Sequence, residues 1–138
     1  MELIFPIEFF VLGTALSFQA KRAKALQEWK DRLRAASREV LPDNHFATDG
    51  RISVTLSYFP ETRMTADIDN IVKPILDAFC NHIYLDDAQV ERIVVQKFEP
   101  EMPVVFDAPS QTLSDALEAE RPVLYIRISN DPFEDMGQ

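Results

Sequence analysis

A chain of 138 residues, 46% of them hydrophobic, has room for one domain around a single core. Its formal net charge of −9 weighs against nucleic acid as a partner, and its lone cysteine, Cys80, excludes an internal disulfide and points to a reducing compartment, here the cytoplasm. Cys80, His45 and His82 are too few and too scattered for a zinc site. The charge is uneven, however. Residues 99–138 carry nine acidic and two basic residues, a balance of −7, whereas seven of the fourteen basic residues fall between Lys21 and Arg38.

The apolar N-terminus opens on Glu2 rather than Lys or Arg and is broken by Pro6 and Glu8. It suits neither a signal peptide nor a membrane span, so no membrane is expected as a partner. Residues 7–12 (IEFFVL) predict an interior strand closed by Gly13. Residues 18–40 predict a long basic helix with Ser17 as a candidate cap and an apolar seam of Ala23, Leu26, Trp29, Leu33 and Ala36. Pro42, Asp43 and Asn44 end it. Residues 51–59 (RISVTLSYF) alternate as a half-buried strand does. A loop then leads to Asp67, and a helix is expected over residues 69–82, capped by Asp69 or Asn70. Pro74 fits that helix only near its first turn. A strand over residues 90–98, a proline-containing loop over 99–109, a helix over 112–120 capped by Ser110 and a strand over 122–129 follow. Residues 130–138 read as a frayed acidic tail. The pattern predicts an α/β (α+β) fold: one domain, residues 1–130, with a mixed sheet of about four strands and packed helices, followed by an acidic tail, residues 131–138.

The chemistry concentrates in residues 67–90. Asp67 and Asp69 enter a short helical segment and Asp86 and Asp87 leave it. Residues two apart in an extended chain project to one side. Clustered carboxylates repel one another unless a cation neutralises them, and oxygen ligands suit Mg²⁺, with Mn²⁺ as the alternative. The matching chemistry is metal-assisted hydrolysis of a phosphodiester. Each feature taken singly has a plainer reading. Asp67, Asp69 and Asn70 can form a turn and cap, and Asp86 and Asp87 a solvated turn. Lys73 can be a surface lysine pairing with Asp69 and Asp77, and His82 a helix-end residue favoured by the dipole.

Taken together, residues 67–79 (DIDNIVKPILDAF) and 84–90 (YLDDAQV) resemble the RusA family of Holliday-junction resolvases. The family pattern is D-x-D-N-x-x-K-x-x-x-D-A, then an apolar residue and D-D-x-Q-V. A looser likeness covers residues 13–29. The resemblance implies a RusA-like fold and a Mg²⁺-dependent, structure-selective endodeoxyribonuclease. Such an enzyme, a homodimer, resolves four-way DNA junctions by paired symmetric nicks in recombination and repair. It implies catalytic roles for Asp67, Asp69, Lys73 and Asp87, with metal held by Asp67, Asp69 and Asp87 and by the adjacent Asp86. Lys21, Arg22, Lys24, Arg63 and Lys73 are the implied contacts to branched DNA. Asp77 is expected to buttress Lys73, and Asn70 to cap or orient the loop. The basic run that often precedes the first aspartate in the family is reduced here to Arg63. The N-terminal strand and helix are the expected dimer contact, and the acidic tail is expected to compete with phosphate for the basic helix. The alternative is a RusA-like DNA- or protein-binding regulatory module whose metal cluster is structural. A Ca²⁺ site would fit the charge but not Lys73 inside the cluster.

Overall fold

Four strands pair into one mixed sheet in a computed structural model that describes residues 1–17 and 22–134. They are β1 (Ile7–Leu12), β2 (Ile52–Phe59), β3 (Val90–Lys97) and β4 (Val123–Ser129), ordered β1-β4-β2-β3 across the sheet. The last strand therefore lies second, antiparallel to both β1 and β2, while β2 and β3 run parallel. A parallel pair needs a crossover, and the segment holding the acidic pairs supplies it. Three helices complete the α+β domain: α1 (Ala23–Arg38), α2 (Val72–Phe79) and α3 (Gln111–Glu118).

Alternation along the strands divides the interior in two. Ile7, Phe9 and Val11 of β1 join Ile52, Val54 and Leu56 of β2 and Leu124, Ile126 and Ile128 of β4 under Trp29 and Leu33 of α1 and Ile75 and Phe79 of α2. Val123 and Tyr125 face the other way and meet Phe59, Leu113 and Ala116 in a smaller cluster beneath α3. The expectation of a half-buried β2 is corrected here. It lies between β4 and β3, and Ser53 and Ser57 on its second face are buried as well.

The helices differ from expectation at their ends. Helix α1 begins at Ala23, and its cap position is held by Arg22 without a side-chain cap bond, not by Ser17. Residues 18–21, where the helix was expected to start, lie outside the described residues. Its buried stripe is Trp29, Leu33 and Ser37, with Ala23 exposed. Arg32 folds back over Gly13 and donates to Leu12 O. Gly13 has φ +136°, a backbone that demands glycine, and a Cβ there would sit 2.6 Å from that guanidinium and displace it. Helix α2 is shorter than expected. Asp69 and Asn70 belong to a 3₁₀ turn, Ile68–Ile71, rather than capping the helix, and α2 ends at Phe79. Pro74 does fall in its first turn, where a missing N–H costs little. Helix α3 is capped as expected, Ser110 Oγ accepting from Leu113 N at 3.1 Å.

Helix α1 is tied to the turn after α2 by polar contacts. Arg34 Nε donates to Ala78 O at 2.7 Å, and the His82 ring nitrogen Nε2 lies 2.7 Å from the buried Ser37 hydroxyl. Ser37 Oγ itself donates to Arg34 O at 2.6 Å, so Nε2 of His82 carries the proton in this pair. Burial, with His45, Arg38 and Arg34 nearby, lowers His82 to about 4. The imidazole is thus neutral at pH 7, so the plainer reading of His82 as a helix-end residue favoured by the dipole does not describe it. A base whose folded pKa is depressed lets the unfolded chain bind the proton first. The fold should lose stability as pH falls from about 6.5 towards 4. Melting temperatures across that range should fall less steeply for His82→Gln than for the parent.

The start of the expected acidic tail is docked on the sheet. Glu134 accepts from Arg127 Nε at 2.7 Å and Nη2 at 3.0 Å, and its carbonyl accepts from Arg92. Arg127 also reaches Glu8 Oε1 at 3.2 Å, and Glu8 Oε2 accepts from Ser110 Oγ and Tyr125 Oη at 2.6 Å each. Glu134 is therefore engaged by β3 and β4 rather than by α1, which corrects both the fraying and the competition expected of it. Residues 135–138 lie outside the described residues. Deleting residues 131–138 should destabilise the fold by about 1–2 kcal/mol, between the values for exposed and buried pairs, read as a lowered denaturant midpoint.

Candidate active site

The site begins where β2 ends. Residues 60–64 are clamped at both ends: Arg121 donates to Pro60 O at 3.3 Å, and Met64 N donates to Glu99 Oε2 at 2.7 Å. That amide, with help from Lys97, holds the Glu99 carboxyl below its ordinary range. Asp67 follows in extended backbone, and its carbonyl accepts from Asn70 N at 3.1 Å to start the 3₁₀ turn. The carboxylates of Asp67 and Asp69 are exposed, and among the described residues neither has a cation within ion-pairing distance. Asn70 thus acts in the turn through its backbone.

Lys73 projects from the first turn of α2. Its Nζ lies 2.8 Å from Asp77 Oδ1 and 2.6 Å from Asp87 Oδ2. The first contact is the helical i,i+4 pair expected from spacing. The second is made by the fold, and Asp69 is not a partner. Both contacts, Asp77 first, raise the Lys73 pKa, and Lys73, followed by the neighbouring Asp86 carboxyl, lowers that of Asp87. Asp87 stays ionised down to acid pH and Lys73 stays protonated up to strongly basic pH, so the pair is charged throughout the neutral range.

A chain reversal explains how Asp87 arrives. Cys80 leaves the helix in extended backbone, Asn81 turns with φ 59°, and Asn81 N donates to Tyr84 O at 2.6 Å. The fully buried Tyr84 donates from Oη to Leu76 O at 2.6 Å, fixing the returning segment along α2. Residues 86–89 then close on themselves. Asp86 Oδ1 accepts from Ala88 N at 3.3 Å, and Gln89 Oε1 accepts from Leu85 N and Asp86 N at 2.9 Å each. The amide of Gln89 donates to Thr48 O and Gly50 O at 2.9 and 2.8 Å. Gln89 was not among the expected site residues. Its signal was present in the spacing, since D-x-x-Q is a capping box. Tyr84 had no such signal.

Asp77, Cys80 and Asp87 offer ligand atoms within 4.8 Å of one another, and among the described residues they alone form such a group. Asp67, Asp69 and Asp87 do not converge that closely, because the reversal returns Asp87 to the level of Lys73 and Asp77, a turn beyond Asp69. Burial raises the Cys80 pKa, so the thiol is held protonated and is a poor ligand for a soft metal. The remaining donors of that group, Asp77 and Asp87, are half-buried carboxylates. That set suits a hard divalent cation that keeps part of its hydration shell.

The expected DNA-contacting residues are spread around this centre. Lys21 lies outside the described residues, Arg22 and Lys24 are exposed at the start of α1, and Arg63 is exposed on the clamped loop four residues before Asp67. Arg32 and Arg34, by contrast, are engaged by backbone carbonyls, of Leu12 and Ala78 respectively. Among the described residues no helix is long and apolar enough to cross a membrane. No curated protein matches the chain. The family described as endodeoxyribonuclease RusA matches residues 13–106, a stretch that covers more than half of the sequence and holds both acidic pairs, Lys73, the clamped loop and the reversal. The chain belongs to the RusA endodeoxyribonuclease family.

Proposed function

We propose that this protein is a homodimeric, Mg²⁺-dependent endonuclease, with Mn²⁺ as a substitute, that resolves four-way DNA junctions by paired symmetric nicks. Its setting would be cytoplasmic DNA recombination and repair. The observation that carries this reading is the Lys73 ammonium held between Asp77 and Asp87, one turn after the exposed Asp67 and Asp69, which among the described residues pair with no cation. Asp67, Asp69 and the Asp87 oxygen that Lys73 does not engage, with Asp86 adjacent, would hold the cation. Bound there, it would supply Lewis-acid activation of the phosphate and of an attacking water. Lys73 donates from Nζ to a phosphate oxygen as negative charge develops, and Asp77 keeps the ammonium in position. Lys21, Arg22, Lys24 and Arg63 contact backbone phosphates, which position the substrate without reading its sequence.

Paired symmetric nicks call for two sites related by a two-fold axis. Strand β1 has an open edge, and Leu12 and Val40 nearby are exposed, so the N-terminal strand and helix remain the proposed contact. The test is to incubate the protein and Mg²⁺ with an end-labelled four-way junction and with a linear duplex of the same sequence. Matched nicks in opposing strands of the junction and an intact duplex are expected. Light scattering should give twice the 15.8 kDa chain mass. A monomer that resolves junctions would defeat the dimer, and junctions left whole with either cation would defeat the enzyme.

A further inference from the structure

A cavity of about 240 Å³ lies between the end of β1 and the clamped loop. Its walls are Ala15, Tyr58, Pro60, Met64 and Ile71, and its lining runs to Ala66, the residue before Asp67. We propose that this cavity receives one unstacked nucleobase of the strand being cut, beside the phosphate at the carboxylates. The inference rests on the proposed nuclease function and names a contact that function did not include.

Three observations carry it. The first is position. Consecutive Cα atoms are about 3.8 Å apart, so a group bound against Ala66 is a near neighbour of one bound at Asp67. The second is chemistry. The walls mix apolar side chains with Thr14, Thr62 and Thr65, while Glu61 and Arg63 line the same cavity with opposite charges, which favours a neutral polar ring over a second phosphate. Tyr58 is 2% exposed, and its hydroxyl accepts from Ala15 N at 3.0 Å, leaving its own proton to donate. The volume falls below the roughly 300 Å³ at which clefts for larger ligands begin, which suits one ring system and excludes a duplex. The third is rigidity. Arg121 and Glu99 hold the loop that forms one wall, so the cavity is preformed and ordering it costs little on binding. Taking a base out of a stack costs a few kcal/mol, least where pairing is already interrupted. A branch point provides that interruption and a continuous duplex does not, so the cavity would add to selectivity for branched DNA.

The experiment places 2-aminopurine singly at each position around the exchange point of a four-way junction. The full chain is bound in Ca²⁺, with occupancy read by anisotropy. Emission should rise several-fold at a position next to each nicked phosphate, and Ala15→Phe, which fills the cavity, should return it to the level of free DNA at equal occupancy. Thr14→Trp, an exposed residue on the same lining, serves if Ala15→Phe melts at a lower temperature than the parent. A rise that persists in the filled variants overturns the proposal. So does a parent that binds and nicks the junction while every position stays dark. A parent that neither binds nor nicks any branched DNA defeats the proposed function itself.

Discussion

Replacing Asp67, Asp69 or Asp87 by Asn should abolish Mg²⁺-dependent nicking of a four-way junction while leaving the protein folded. Each substitution keeps the shape of the side chain and removes one hard anionic ligand, and a hard cation with few protein ligands tolerates that poorly. The three differ in stability. Among the described residues Asp67 and Asp69 have no cation within ion-pairing distance, so in the absence of metal their Asn variants should melt no lower than the parent, a repulsive charge having gone. Asp87→Asn also breaks the 2.6 Å contact to Lys73, a partly exposed pair worth about 0–1 kcal/mol. Gel assays of nicking beside thermal melts in chelator separate the two effects. An unfolded variant, or one that cuts at the parental rate, would remove that residue from the proposed site.

Lys73→Ala should lower the nicking rate by about 10²–10³-fold, the range for losing one preorganised charge-stabilising donor. Metal binding should survive and tighten. With the ammonium gone, Asp77 and Asp87 lose the cation that neutralises them, and a divalent ion relieves the repulsion left between the two. Titration calorimetry with Mg²⁺ beside single-turnover nicking reads both quantities. Loss of metal affinity together with activity would show that Lys73 holds the carboxylates in place instead. Lys73→Arg should recover charge but not position, because a planar fork does not replace a point charge at 2.6 and 2.8 Å from two carboxylates.

Much of this centre is legible in the amino-acid sequence alone. Local spacing gave Lys73 with Asp77, since i,i+4 on a helix is a contact by construction. The strand ends were set by alternation, and β1 lies where IEFFVL placed it. Spacing did not reveal the partnership of Lys73 with Asp87, 14 residues apart, because it depends on the reversal at Asn81 and on Tyr84 finding Leu76 O. The helix ends were misread for a related reason. The tight turn Ile68–Ile71 has the same apolar periodicity as a first turn of α-helix over so few residues, so composition cannot separate them. The burial of the second face of β2 is not legible because its serines look like surface residues until β3 and β4 flank them. His82 reads from sequence as a helix-end residue, but α2 ends at Phe79, and burial keeps the imidazole neutral. Strand order was not written locally at all, being a matter of pairing between segments more than a hundred residues apart.

The place of β4 bears on how the molecule comes into being. The stretch that carries the family signature stops at residue 106, before β4 begins, yet β4 is what joins β1 to β2. On a ribosome, the β2–β3 pair and its crossover can form early, but β1 has no strand to pair with until residue 129 has emerged. The acidic crossover is thus complete in sequence well before the sheet beneath it can close. An arrested nascent chain ending near residue 106 should resist protease poorly, and one extended past residue 134 should resist it well.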